Sequence, residues 1–192
     1  VGIIQLFLIF LLIFFRLSNV SYTVITIFMI LHIIGSHYTY AEVPFGYVLQ
    51  DFFGSSRNMY GRLVHFSFGI LLAYPIREVF MRIANSRGLW GYYLPFELTL
   101  AFSAVYEIIE WLAAANVNPQ AGLAFLGSQG DIWDAQKDML AAGIGALLSM
   151  TIVLIINWKY KRDFAKDFAQ GFYFKKRALG EEELSRMIRK KK

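Results

Sequence analysis

The sequence predicts an all-α protein: a polytopic integral membrane helical bundle of about five transmembrane helices, N-terminus out and C-terminus in. Three observations predict it. Hydrophobic residues make up 57% of the chain and charged residues only 17%, against about 25% charged in ordinary soluble domains. Apolar stretches recur at close to the roughly 20-residue length a bilayer requires. The charge is also polarised along the chain. Residues after 158 carry twelve Lys/Arg against five Asp/Glu, or +7, so the net +5 of the whole leaves −2 for everything before them.

The first predicted span, 1–15, is short and lacks a basic n-region or a small-residue cleavage site, so a cleaved signal peptide fits poorly. The second, 20–36, follows a short connection. After a long loop, 37–57, comes the third span, 58–83. The connection 84–89 is short enough to make the third and fourth spans an antiparallel hairpin, the fourth covering 90–114. A second long loop, 115–131, leads into the fifth span, 132–158. Residues 1–158 are therefore expected to form the transmembrane domain and 159–192 a basic cytoplasmic tail.

The runs "KYKR", "KKR" and "RKKK" place that tail inside by the positive-inside rule. Counting back through the spans puts Arg77, Arg82, Arg87 and Arg16 on the same side. The opposite side receives both long loops and most of the residues capable of chemistry. Among them are Glu42, Asp51, Glu107, Glu110, Asp131, Asp134 and Asp138, with Arg57, Arg62 and Lys137; His32, His37 and His65 fall at or near it. The chain has no cysteine, which excludes disulfides, thiolate metal sites, thiol nucleophiles and iron–sulfur clusters. Phosphate-loop and dinucleotide motifs are absent. The basic charge is juxtamembrane and accompanies no recognition motif, so nucleic acid is not an expected partner. The tail segment "GEEELSRMIRKKK" reads as a solvated basic tail, or as a short amphipathic helix on the anionic leaflet.

Four segments carry the candidate chemistry. In "GSQGDIWDAQKDML", Asp131, Asp134 and Asp138 are spaced by three and four residues, which on a helix aligns them on one face. Ser128 or Asp131 suits a helix cap. Asp138 lies about two turns in, above a stripe of Ala142, Gly145 and Ser149 suited to burial against other helices. In "LTLAFSAVYEIIEW", Glu107 and Glu110 are three apart, with Ser103 one turn earlier. Two buried like charges need a cation, an Arg or a shared proton; the alternative is a position at the water boundary, anchored by Trp111. In "SSRNMYGRLVHFSFG", Arg62 and His65 share a face beside Gly61 and Gly69; the alternative is close packing through small residues. In "SHYTYAEVPFG", His37, Tyr38, Tyr40 and Glu42 form either a loop folded over a site or an aromatic belt at the interface.

The blocks "HYTYAEVPFG", "RNMYGRLVHF", "YEIIEW" and "GSQGDIWDAQKDM…GIGALL", in this order, resemble the YjdF-like bacterial inner-membrane proteins, a family of unknown function, over roughly residues 30–155. A more distant likeness is to VanZ-type proteins, which pair a helix-borne "HF" with a downstream Glu and a "D..D" block and are associated with glycopeptide resistance. The resemblance implies a multi-pass protein of the bacterial cytoplasmic (inner) membrane. It carries over His37, Tyr38, Glu42, Arg57, Asn58, Arg62, His65, Glu107, Glu110, Asp131, Asp134 and Asp138 as motif residues. One departure is Gly61, where the family commonly has Asp; its loss would remove a ligand or a partner for Arg62.

Two functions follow as expectations. The first is a metal-dependent cell-envelope enzyme acting on a lipid or lipid-linked substrate. Its catalytic and metal-binding residues would be His65, Glu107, Glu110, Asp134 and Asp138, holding a divalent ion such as Zn, Mn, Fe or Mg. Arg57, Arg62, Tyr38, His37 and Glu42 would bind the substrate. The second is a non-catalytic transporter, or an envelope resistance or assembly factor, whose acids form an ion-pair or solute-binding network. Broken helices and repeated halves, common in transporters, are not visible in the sequence.

Overall fold

A computed structural model describes residues 17–160, 168–169 and 186–189. The first predicted span, Arg16 and most of the basic tail lie outside the described residues. The remaining four predicted spans are helices: α1 (Asn19–His37), α3 (Tyr60–Ile83), α4 (Trp90–Ala115) and α6 (Asp134–Tyr160). All four are long and apolar enough to cross a membrane. The 24 residues of α3 correspond to about 36 Å at 1.5 Å per residue, more than the hydrocarbon core needs.

The two long loops each contain a short helix, α2 (Pro44–Phe53) and α5 (Pro119–Leu126). Both begin on a proline and stop at a left-handed glycine, Gly54 (φ 62°) and Gly127 (φ 59°). Proline presets the first-turn φ without needing its missing N–H, and glycine takes the αL stop at no steric cost. Asn118 caps α5 by accepting from the Ala121 N–H at 2.8 Å. These helices lie at the end of the bundle where α1 and α4 finish and α3 and α6 begin, here termed the loop end. The opposite, turn end holds Ser18, the Ile83–Trp90 connection and Tyr160.

Helix α3 packs against α1, α4 and α6, and α4 also packs on α6 and α5. Apolar burial alone does not associate helices in lipid, so close backbone approach matters. Gly69 of α3 and Gly145 of α6 provide it. A Cβ on Gly69 would lie 2.7 Å from the Ala146 nitrogen, and one on Gly145 would lie 2.7 Å from the Ile70 nitrogen. Ala73, Ala142, Ala146 and Ser149 are buried along this seam, as the small-residue stripe predicts. Large apolar side chains instead face outward along α4 and α6, including Phe102, Ile108, Leu147 and Ile152, as lipid contact requires.

Helix α1 is tied at the turn end by Glu78 of α3. Its carboxylate accepts from the Ser18 N–H (2.9 and 3.0 Å), the Ser21 hydroxyl (2.6 Å) and Arg82 (2.6 Å). At the loop end the fastening residue is Asn58, 1% exposed. Its Nδ2 donates to the Val43 carbonyl at 3.0 Å and its Oδ1 accepts from the Tyr60 N–H at 3.0 Å. Its backbone pairs twice with the Gln129 amide, at 2.9 and 3.3 Å. Three loops thus meet at one residue, two of them through its side chain. Asn58→Ala would leave a buried carbonyl without its donor and is expected to cost about 2–3 kcal/mol. Thermal unfolding in detergent measures it; an unchanged midpoint would show that the loops are held by other contacts.

Candidate functional site

Helices α3, α4 and α6, with the loops before α3 and α6, bring the chemistry together at the loop end. On α6 the four-residue spacing of Asp134 and Asp138 aligns both with Asp131 in the preceding turn. On α3 the three-residue spacing of Arg62 and His65 presents both to α6 and α4. Arg57 arrives from the loop before α3.

The first half of the cluster is an ion-pair belt. Asp134 accepts from Arg57 Nη1 and, at 3.0 Å, from Arg62 Nη2. Arg62 Nη1 donates to the Asp134 carbonyl at 3.2 Å and lies 3.2 Å from Asp138 Oδ1. Arg57 Nη2 donates to the Gly127 carbonyl at 3.2 Å. Asp131 lies 3.8 and 3.7 Å from the two guanidinium groups, and its main partner is Lys137 at 2.8 Å. The hydrogen bond from Lys137 holds the Asp131 carboxyl below its usual range. Three cations therefore face three aspartates. Of the two answers open at the level of sequence, the aspartates pair with arginine in this half of the cluster.

The second half is different. His65, Glu107 and Asp138 each offer a ligand atom, and the three atoms lie within 4.8 Å of one another. His65 Nε2 is 3.4 Å from Glu107 Oε1. The side chains of Glu107 and Asp138 are 10% and 9% exposed. Glu107 Oε1 and Asp138 Oδ1 are both buried without a hydrogen-bond partner, as is the Ser103 hydroxyl one turn from Glu107. Glu107 has no Lys or Arg ion pair among the described residues. Buried carboxylate oxygens without donors are costly unless a cation or proton meets them. The donor set, one imidazole and two carboxylates, suits Zn²⁺, Mn²⁺ or Fe²⁺.

Not every predicted site residue joins this group. Asp134 is given to the two arginines. Glu110, one turn beyond Glu107, pairs with the Tyr106 hydroxyl instead. His37 and Tyr38 are exposed and pack edge to face on each other at 4.8 Å. Glu42 is exposed and accepts from the Tyr47 hydroxyl at 2.8 Å. Arg57 and Arg62 are largely occupied by protein oxygens. At Gly61 a Cβ would meet no atom within 4 Å, so the partners of Arg62 do not depend on an acid at that position.

Among the His and Tyr residues of the 36–46 loop, the inward one is Tyr40. Its hydroxyl lies 2.7 Å from His32 Nδ1. Thr39 and Tyr40 both take positive φ, 57° and 54°, a left-handed pair that costs non-glycine residues energy. That double turn folds the Tyr40 ring across Gly35, where a Cβ would collide with it. Burial pushes the Tyr40 hydroxyl pKa up; the Ser36 hydrogen bond opposes the shift and the Glu110 charge adds to it. Tyr106, which stacks edge to face on His65 at 5.8 Å, connects this arm to the metal-ligand group. Sequence reasoning chose Tyr38 and His37 over Tyr40 and His32. Only Gly35, the small residue that admits the ring, signalled the difference.

Comparison with known proteins agrees with this architecture. The family described as "Predicted membrane protein (DUF2238)" matches residues 1–159. The chain is 39% identical over 151 residues to the inner membrane protein YjdF of Escherichia coli (strain K12), covering 78% of this chain and 72% of that protein. No solved structure matches.

Proposed function

The chain belongs to the DUF2238 family of predicted membrane proteins, and on that premise we propose that its His65–Glu107–Asp138 group holds a divalent metal ion serving hydrolysis or group transfer in the cell envelope. The chain is an integral, multi-pass inner-membrane protein. One observation carries the metal reading: the buried Glu107 Oε1 and Asp138 Oδ1 lack hydrogen bonds and lie beside an imidazole, with the three ligand atoms within 4.8 Å of one another, and Glu107 has no Lys or Arg ion pair among the described residues.

Such an ion supplies a Lewis acid and lowers the pKa of a bound water. The chain's own residues do the rest. Three protein ligands leave at least one coordination position open, the arrangement of catalytic rather than structural sites. Arg62 donates to Asp134 and pairs ionically with Asp138 at 3.2 Å, which restrains one of the ligands. Ser103, one turn below Glu107, offers a buried hydroxyl for orientation.

The proposed substrate is a lipid or lipid-linked molecule. The exposed face of α2 carries Phe45, Val48 and Phe52 at helical spacing, and Ile132 and Trp133 stand exposed just before α6. An amphipathic helix of this kind rests in the interface, which brings the mouth of the site to the level of lipid headgroups. The arginines at the turn end support an orientation with the loop end outside. The likeness to VanZ-type proteins rests on motif order alone and carries no step of this proposal.

A second reading is favoured by the ion-pair belt: three cations against three aspartates suit a non-catalytic plug or solute-binding network. Elemental analysis of the detergent-purified protein separates the two. We expect near-stoichiometric Zn, Mn or Fe in the wild type. Asp138→Asn and Glu107→Gln should weaken binding by on the order of 100-fold while remaining folded. An apo wild type after incubation with excess ions would overturn the metalloenzyme and leave the ion-paired network.

A further inference from the structure

We propose that Arg77, Tyr92 and Asn157, at the opposite end of the bundle, form a binding site for the phosphate of an anionic phospholipid headgroup. The site is independent of the cluster at the loop end. Arg77 lies on α3 with its Nε buried and without a hydrogen-bond partner. Its guanidinium sits over the Tyr92 ring, 4.7 Å from the centroid. No carboxylate pairs with it among the described residues. The neighbouring acid, Glu78, is turned to α1, where Ser18, Ser21 and Arg82 occupy it. A cation held on an aromatic face and denied an acid lacks a partner that an anion would supply.

Tyr92 adds a second donor. Its hydroxyl oxygen accepts from Asn157 Nδ2 at 2.9 Å. That bond fixes the phenol and leaves its own proton free to donate. Guanidinium and phenol together offer the charge-assisted donors that a phosphodiester takes.

The depth fits a lipid phosphate. Arg77 is six residues before the end of α3 at Ile83, about 9 Å along the helix axis. Tyr92 is two residues into α4, and Asn157 is three before the end of α6. Exposed aromatics mark the same level: Trp90 and Tyr93 at the start of α4, Trp158 and Tyr160 at the end of α6. Basic pockets between helices at this level are where anionic headgroups bind.

The test is thermal unfolding of the full chain in detergent, titrated separately with phosphatidylglycerol, phosphatidylcholine and inorganic phosphate. Phosphatidylglycerol should raise the midpoint by several degrees and the other two should not. Arg77→Gln should lower the apparent phosphatidylglycerol affinity by on the order of tenfold or more. Arg87→Gln, at an exposed arginine bonded to Asn85, should respond as the wild type. Should Arg77→Gln fail to fold, Tyr92→Phe keeps the ring and removes the donated proton, and it should also weaken the response. Equal stabilisation by phosphatidylcholine overturns the site. So does an undiminished response in Arg77→Gln or, where that variant does not fold, in Tyr92→Phe. A full effect from inorganic phosphate alone would assign the site to a soluble phosphate instead of a lipid.

Discussion

Arg62→Met should unfold the loop end, at a cost of about 3–5 kcal/mol, the range for removing one partner from a buried ion-pair network. Arg62 reaches Asp134 at 3.0 Å, Asp138 at 3.2 Å and Asp131 at 3.7 Å. Methionine fills much of the same volume but leaves Asp134 and Asp131 with Arg57 and Lys137 alone and removes the arginine paired with Asp138. The side chains of Asp134 and Asp138 are only 12% and 9% exposed, so water does little to compensate. Lys137 is the matched control. It pairs with Asp131 at 2.8 Å, closer than Arg62 does, yet its side chain is 52% exposed. Exposed pairs contribute roughly 0–1 kcal/mol, so Lys137→Met should stay near the wild type. Chemical or thermal unfolding in detergent reads both. Equal stabilities for the two variants would mean that the belt does not hold α3 to α6.

The belt also shows what the sequence could disclose. Spacing fixed the shared face of Asp131, Asp134 and Asp138, because helical periodicity is local and needs no partner. Burial of Asp138 above Ala142, Gly145 and Ser149 was legible for the same reason. Which helix would meet that face was not. Arg57 and Arg62 read equally well as substrate clamps and as partners for the aspartates, and only the packing of α3 on α6 selects the pairing. Glu107 and Glu110 looked equivalent, three apart on one helix. The crossing of α4 with α3 turns Glu107 to His65 and leaves Glu110 to Tyr106. The loop 36–46 was the least legible region. Tyr38 and Tyr40 differ by two residues, and the choice between them rests on two consecutive left-handed backbone conformations that no residue type there announces. The short helices α2 and α5 were missed although each begins with proline and ends at glycine. Their lengths, 10 and 8 residues, gave too little periodicity to register beside the long spans.

The crossing that makes the cluster possible sets the second large effect. Gly145→Ala should destabilise the protein by about 3 kcal/mol and weaken metal binding, although every proposed ligand remains in place. The added Cβ would lie 2.7 Å from the Ile70 nitrogen and 3.2 Å from the Gly69 carbonyl carbon, after colliding with the Phe66 carbonyl oxygen. These are backbone atoms of a helix and cannot rotate away, so α3 and α6 must separate, at the cost typical of overpacking. Gly69 stands one turn from His65, and Gly145 two turns from Asp138. Separation at the crossing therefore moves an imidazole and a carboxylate of the same group relative to each other, and metal sites tolerate little such movement. Gly61→Ala, on α3, provides the opposite case. Its Cβ would meet nothing within 4 Å, and alanine favours the helix by up to about 1 kcal/mol over glycine. It should leave metal content unchanged and hold or raise the unfolding midpoint. Elemental analysis beside thermal unfolding, on both variants, decides the matter. If Gly145→Ala matched the wild type in both measurements, the backbone contact between α3 and α6 would not be what places His65 beside Asp138.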